Sequence, residues 1–225
     1  MLVINWMSQP AITIDADAPI ADAIKILQKH QIHMLPVMQN GQLVGVVTER
    51  DFKGAATCDV ISENRQENSI LPSGIKVSKI MALHPVTVSY DYTLEETVEK
   101  FLVYNISGLP VVNQQRKVIG VITKSDFFQL ILVLTGFGKK GLQLGIELED
   151  RAGCLKEITD IIREYGGRIA SIFSTHERAD KGNRRLYIRI FDIDQPSLLH
   201  LKEVLRKRAI LLYIVDHNGK KREIF

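Results

Sequence analysis

Apolar positions change period several times between residues 11 and 58. AITI at 11–14 reads as a short extended segment, after which Ile20, Ala23, Ile24 and Leu27 recur at the spacing of one helical face. Leu35, Pro36 and Val37 open a strand that Asn40 and Gly41 turn back into a second one, Leu43 to Val47. Thr48 then occupies the N-cap position of a closing helix. The predicted unit is strand, helix, strand, strand, helix.

That unit occurs twice. AITIDADAPIADAIKILQKHQIHMLPV (11–37) aligns with PVTVSYDYTLEETVEKFLVYNISGLPV (85–111) at an offset of 74, which becomes 75 across the hairpin turn. GVVTERDF at 45–52 accordingly returns as GVITKSDF at 120–127, and Leu94, Val98, Phe101 and Leu102 repeat the helical face. A unit of this size buries too little apolar surface to stand alone, so the two copies are expected to pack face to face about a pseudo-twofold axis. The intervening 55–74 stretch is polar and contains proline, as an exposed linker would. FFQLILVLTGF from Phe127 falls short of the ~20 apolar residues a membrane span needs and is expected to be a buried helix.

After Gly136, Gly138 and Gly141 the pattern changes. LQLGIEL alternates apolar residues at 142, 144, 146 and 148, as a half-buried strand does, and Leu155, Ile158, Ile162 and Tyr165 mark a helix ended by Gly166 and Gly167. RIASIFSTH and RRLYIRIFD read as strands around ADKGN; Leu198, Leu201 and Leu205 mark a second helix, and AILLYIVD a last strand. The order βαββαβ is that of the ferredoxin-like split βαβ architecture, which by itself says little about activity.

Composition narrows the function classes. The 29 basic and 26 acidic side chains leave a net charge of +3, too balanced for a nucleic-acid footprint. Cys58 and Cys154 lie far apart with no CxxC or His pair, so neither a disulfide framework nor a metal site is expected. MLVINWMSQP carries no secretory signal, which makes the cytoplasm the simplest compartment and a membrane an unexpected partner. The chain lacks GxSxG, HExxH and P-loop motifs, and no enzyme activity is expected.

The candidate chemistry lies in Thr48xxAsp51 and Thr123xxAsp126. Each fits a capping box, with an acid in the first turn that favours the helix dipole. The same geometry serves an anion, because free N–H groups at a helix start point towards phosphate. An aspartate can also accept hydrogen bonds from two ribose hydroxyls, and Gly45 and Gly120 permit a close backbone approach. Both readings stay open at this point.

The GVVTERD and GVITKSD endings, with IHMLPV and ISGLPV, resemble a pair of cystathionine-β-synthase (CBS) domains, a Bateman module. The resemblance implies an adenosine nucleotide between the repeats: AMP, ADP or ATP, with NADH and S-adenosylmethionine as further candidates and no metal. Asp51 or Asp126 would hold ribose, and Thr48 or Thr123 would lie near ribose or phosphate. Ile32, His33 and Met34 in copy one, and Ile106, Ser107 and Gly108 in copy two, would wall the base. Against this, Ile32 and Ile106 fit a core equally well, and His33, a conceivable phosphate donor, fits a polar strand edge. Arg50 and Lys124 would neutralise phosphate, or simply be solvated. The smaller Ser107–Gly108 pair is expected to admit a base more easily than His33–Met34 does.

Residues 141–217 resemble an ACT domain, a small-molecule-sensing module, in which Asp150 and Gly153 would meet an amino-acid effector. Helix capping by Asp150 and a tight turn at Gly153 are the plainer accounts. Ala152 and Arg168 depart from that family's usual proline and asparagine. The expected division is 1–57 first CBS repeat, 58–75 linker, 76–135 second CBS repeat, 141–217 ACT domain and 218–225 C-terminal tail. The fold class is α+β: a tandem CBS pair with pseudo-twofold symmetry, then a ferredoxin-like βαββαβ ACT domain. The arrangement resembles the AcuB-like acetoin-utilisation proteins. It implies a cytoplasmic regulatory homodimer acting on a regulated protein whose identity the motifs do not encode. The alternative is an unliganded CBS dimerisation scaffold, with amino-acid or partner recognition left to the ACT domain.

Overall fold

The structure, a computed structural model, describes residues 1–58 and 75–225. Most of the expected linker therefore lies outside the described residues. Two compact units form, Met1–Phe127 and Phe128–Phe225.

In the first unit, each repeat follows the predicted order. β1 (Ile14–Asp15), α1 (Ile20–His30), β2 (Met34–Gln39), β3 (Gln42–Thr48) and α2 (Glu49–Cys58) form the first. β4 (Ala82–Leu83) precedes the second, made of β5 (Val88–Ser89), α3 (Leu94–Val103), β6 (Gly108–Val112), β7 (Val118–Thr123) and the start of α4 (Lys124–Leu134), which continues past Phe127 into the second unit. Asn40 and Gly41 both have positive φ, 50° and 76°, as a two-residue hairpin turn requires. Equivalent details recur in both copies: a left-handed residue after each first helix, Gln31 and Asn105, and a bulge at Val37/Met38 and at Val111/Val112.

Within the first unit the leading segments of the two repeats cross over. Residues 1–8 dock on the second repeat, with Val3 N–H donating to the Tyr92 carbonyl at 2.9 Å and Ser8 bridging Val121. The segment before the second repeat docks on the first: Val77 N–H donates to Ala18 and Ser78 N–H to Ala16, both at 2.9 Å, and β4 pairs with β3. Val77 is fully buried in the first repeat's core, among Ile20, Leu27, Leu35 and Val47. Burying one such side chain contributes about 1.5–3 kcal/mol. The two sheets run β1-β2-β3-β4 and β5-β6-β7.

α4 is a correction to the expected buried helix. Leu130 is its buried residue, whereas Phe128, Ile131, Leu132 and Val133 are each more than half exposed.

The second unit contains β8 (Leu142–Glu149), α5 (Cys154–Glu164), β9 (Arg168–Thr175), β10 (Asn183–Phe191), α6 (Gln195–Arg208), β11 (Ile210–Asp216) and β12 (Lys221–Ile224). The sheet order is β12-β11-β8-β10-β9, with every neighbour antiparallel. Leu144, Ile146, Ile158, Ile162, Leu186, Ile188, Leu201 and Leu205 lie in its core. Two departures from the pattern appear. Residues 221–224, inside the expected tail, pair with β11 as an edge strand. β8 is buried on both faces rather than one, because Tyr213 covers Gly145 and the β9–β10 connection encloses Glu147.

Candidate functional site

The two TxxD motifs adopt the same geometry. Thr48 N–H and Oγ1 both donate to Asp51 Oδ2 at 2.7 Å; Thr123 N–H and Oγ1 donate to Asp126 Oδ2 at 2.7 and 2.8 Å. In the second motif Asp126 N–H also reaches Thr123 Oγ1 at 3.4 Å, completing a capping box. All four side chains are half-buried at the start of α2 or α4. The capping box of the sequence reading is complete at Thr123–Asp126, whereas Thr48–Asp51 shows the carboxylate half of it, and in each motif both threonine donors go to one carboxylate oxygen.

The segments expected to wall a base lie next to these motifs. Met34 and Gly108 are the cross-strand partners of Thr48 and Thr123, and Lys124 N–H donates to the Ser107 carbonyl at 2.9 Å. Ile32 is half-buried against the first repeat's core, Ile106 is half-buried, and Ser107 is exposed. His33 Nδ1 lies 3.2 Å from Glu49 Oε1, an exposed pair. Arg50 is exposed and Lys124 half-buried.

Both motif glycines have a protein neighbour. A Cβ on Gly45 would stand 2.9 Å from the Ala82 carbonyl oxygen, and one on Gly120 would stand 2.8 Å from that of Ser8. The close approach they permit is made by the crossing segments, a contact that sequence spacing did not reveal. The available signal was VINWM at 3–7 against VSKIM at 77–81, an extension of the repeat at the same offset of 74. The expectation that Gly108 opens copy two more readily is also corrected. Met34 Sδ and Cε lie 3.1 and 3.2 Å from the point a Cβ there would occupy, so another repeat's side chain fills that space.

In the second unit, Asp150 does not cap α5; Gly153, at φ +86°, holds the N-cap position. Asp150 instead accepts from Arg184 Nε at 2.7 Å and lies 3.0 Å from His176 Nε2. Gly153 is explained by its backbone, since a Cβ there would meet nothing within 4 Å yet sit on a strained conformation. Sequence reasoning missed Arg189, which is buried and donates to the Thr135 and Lys140 carbonyls at 2.8 and 2.9 Å and to Gln143 Oε1 at 3.1 Å. Among the described residues no group of His, Cys, Asp and Glu could hold a metal, and no helix is long and apolar enough to cross a membrane.

The CBS domain family model matches residues 3–57 and 77–133. A CBS domain-containing protein of Dictyostelium discoideum is 35% identical over 133 residues, which make up 59% of this chain and 92% of that one. The CBS domain pair of protein MJ0100, solved in complex with 5′-methylthioadenosine and S-adenosyl-L-methionine, is 32% identical, with a TM-score of 0.50 over 58% of this chain and 95% of that one. A Vibrio cholerae structure assigned to acetoin utilization (AcuB) shares the fold at 24% identity, with a TM-score of 0.50 over 62% of this chain and 96% of that one.

Proposed function

This chain belongs to the CBS-domain proteins, and on that premise we propose that it is a cytoplasmic regulator that binds an adenosine-containing ligand between its two repeats. The observation that carries the reading is the pair of half-buried aspartates, each fixed by its threonine through one oxygen at a helix start. The second carboxylate oxygen is the acceptor assigned to ribose hydroxyls, and the helix N–H groups and dipole favour the phosphate or another electron-rich group. The MJ0100 pair, similar over nearly its whole length, supports an adenosine ligand class. Binding shifts the population of repeat packings, which is the signal; no turnover is assigned.

The second unit, with four strands in the order β11-β8-β10-β9, fits a ferredoxin-like ACT domain that would pair in a homodimer. An acetoin or acetyl-CoA connection rests on the arrangement of domains. Calorimetry with AMP, ADP, ATP, NADH and S-adenosylmethionine tests the reading. Dissociation constants all above about 1 mM, unchanged by Asp51→Ala or Asp126→Ala, would remove it.

A second reading, an unliganded scaffold, is favoured by one observation: Met34 already occupies space beside Gly108. It predicts no ligand at either aspartate.

A further inference from the structure

Met34 and Gly108 are equivalent positions of the two repeats, 74 residues apart (108 − 34), and each begins the strand after its helix. Each also pairs across the hairpin with the threonine of its own TxxD motif. These two positions meet one another, and they do so unequally. The thioether of Met34 reaches from the first repeat to the second, its Sδ 3.1 Å from the point where a side chain at Gly108 would start. Thr123 Cγ2 is 3.5 Å from the same point, so Met34, whose backbone pairs with Thr48, places its thioether among the groups that surround Gly108 and Thr123. Met34 is buried, with 8% exposure, and so fills volume instead of swinging in solvent.

Pseudo-symmetry would send a side chain at position 108 the opposite way, towards the Thr48–Asp51 motif. Glycine sends none. The threonine-to-carboxylate hydrogen bonds of the two motifs are the same to within 0.1 Å, at 2.7 and 2.7 Å against 2.7 and 2.8 Å, and the added Asp126 N–H bond to Thr123 Oγ1 is long, at 3.4 Å, so these bonds do not distinguish the sides. The apolar plug does. We infer that the two clefts are inequivalent: the adenosine ligand binds on the Thr48–Asp51 side, and Met34 closes the Thr123–Asp126 side. Met34 and Gly108 are thus the residues that decide which cleft is open. The inference rests on the nucleotide reading above and names the site within it.

Calorimetry on the full chain, with the ligand that binds best among AMP, ADP, ATP, NADH and S-adenosylmethionine, tests it. The wild-type protein is expected to bind one ligand per chain, with affinity falling about tenfold or more in Asp51→Ala, as for a lost hydrogen bond to a charged group. Met34→Ala is expected to raise the stoichiometry to two per chain, the added site being lost again on Asp126→Ala. The exchange Met34→Gly with Gly108→Met moves the dependence from Asp51 to Asp126; should that variant not fold, the Met34→Ala stoichiometry decides alone. Two equal sites in the wild type, dependence on Asp126 with Asp51→Ala still binding, or a Met34→Ala protein that stays at one ligand would each overturn the inference while leaving the nucleotide reading intact. No binding of any of the five removes both.

Discussion

Gly120 and Ser8 lie back to back across the boundary of the crossed segments: Ser8 exchanges backbone hydrogen bonds with Val121 at 2.9 and 3.0 Å, and a Cβ on Gly120 would stand 2.8 Å from the Ser8 carbonyl oxygen. The same Cβ would be 2.7 Å from Met7 Sδ. Methionine can swing aside, but a carbonyl held in a strand pairing cannot. Gly120→Ala is therefore expected to destabilise the chain by about 1–3 kcal/mol through overpacking. Urea unfolding measures this, and an unchanged midpoint would mean that the leading segment does not lie there. Gly45→Ala, facing Met81 and the Ala82 oxygen at 2.9 Å, should behave alike.

Arg189 is buried with its guanidinium carbon 5.4 Å from the Phe137 ring centroid, and burial works against its charge. It tolerates this because its donors are used on two main-chain carbonyls and Gln143. Arg189→Met keeps most of the volume and removes every donor. The Thr135 carbonyl still has Ser171 Oγ at 2.8 Å, but that of Lys140 loses the Arg189 donor. The expected cost is about 2–4 kcal/mol, with faster amide hydrogen exchange over 135–143. A variant as stable as its parent would show that the carbonyls find water at no cost.

The Glu147 carboxylate, 3% exposed, accepts from Asp180 N–H at 2.8 Å, Arg185 Nε at 2.7 Å and Asn183 Nδ2 at 3.2 Å. The Asp180 N–H first, and then Arg185, hold its pKa below the usual carboxylate value. A depressed folded pKa stabilises the fold above the unfolded value of 4.5, and the contribution is lost as pH falls through the folded one. Glu147→Gln is expected to lose about 1.5–3 kcal/mol at pH 7 and much less in acid. Denaturation of parent and variant at both pH values checks this, and a gap that widened in acid would contradict it.

Local features of this chain were readable from its residues because they are local. Asn40-Gly41 dictates a hairpin, Thr123 and Asp126 cap a helix over three residues, and Leu198, Leu201 and Leu205 mark one buried face. What spacing cannot give is the partner across space. The crossed segments are short and without period, and Ser8 finds its partner only at Val121. KKREIF is too polar to announce β12, which forms because β11 offers an open edge. The alternation in LQLGIEL places Glu147 opposite the helices correctly, yet says nothing of what covers that second face. For the candidate site, the TxxD residues and strand starts were legible as a set. That Met34 reaches over Gly108, rather than the glycine leaving a hollow, is a fact of packing between repeats.

His217 gives the second unit a pH dependence of identifiable origin. Its Nε2 is buried with no hydrogen-bond partner, its ring meets Phe137 edge-on at 5.3 Å, and its backbone N–H is held by the Gly141 carbonyl at 2.9 Å. Burial, and after it the charges of Arg189 and Arg222, push its pKa below the ordinary 6.5, with Asp216 opposing. A histidine whose folded pKa is depressed acts opposite to one that gains a partner. Below 6.5 the unfolded chain takes up the proton more readily than the folded one, so stability falls as pH drops through that value towards the folded pKa; above 6.5 the group adds no slope. His217→Phe keeps a flat ring against Phe137 and abolishes the titration. The difference in unfolding free energy between parent and variant should therefore be constant above about pH 7.5 and shift against the parent on going to about pH 5.5. A difference that stays flat, or that shifts in the parent's favour, would show that the imidazole finds a proton acceptor inside the fold.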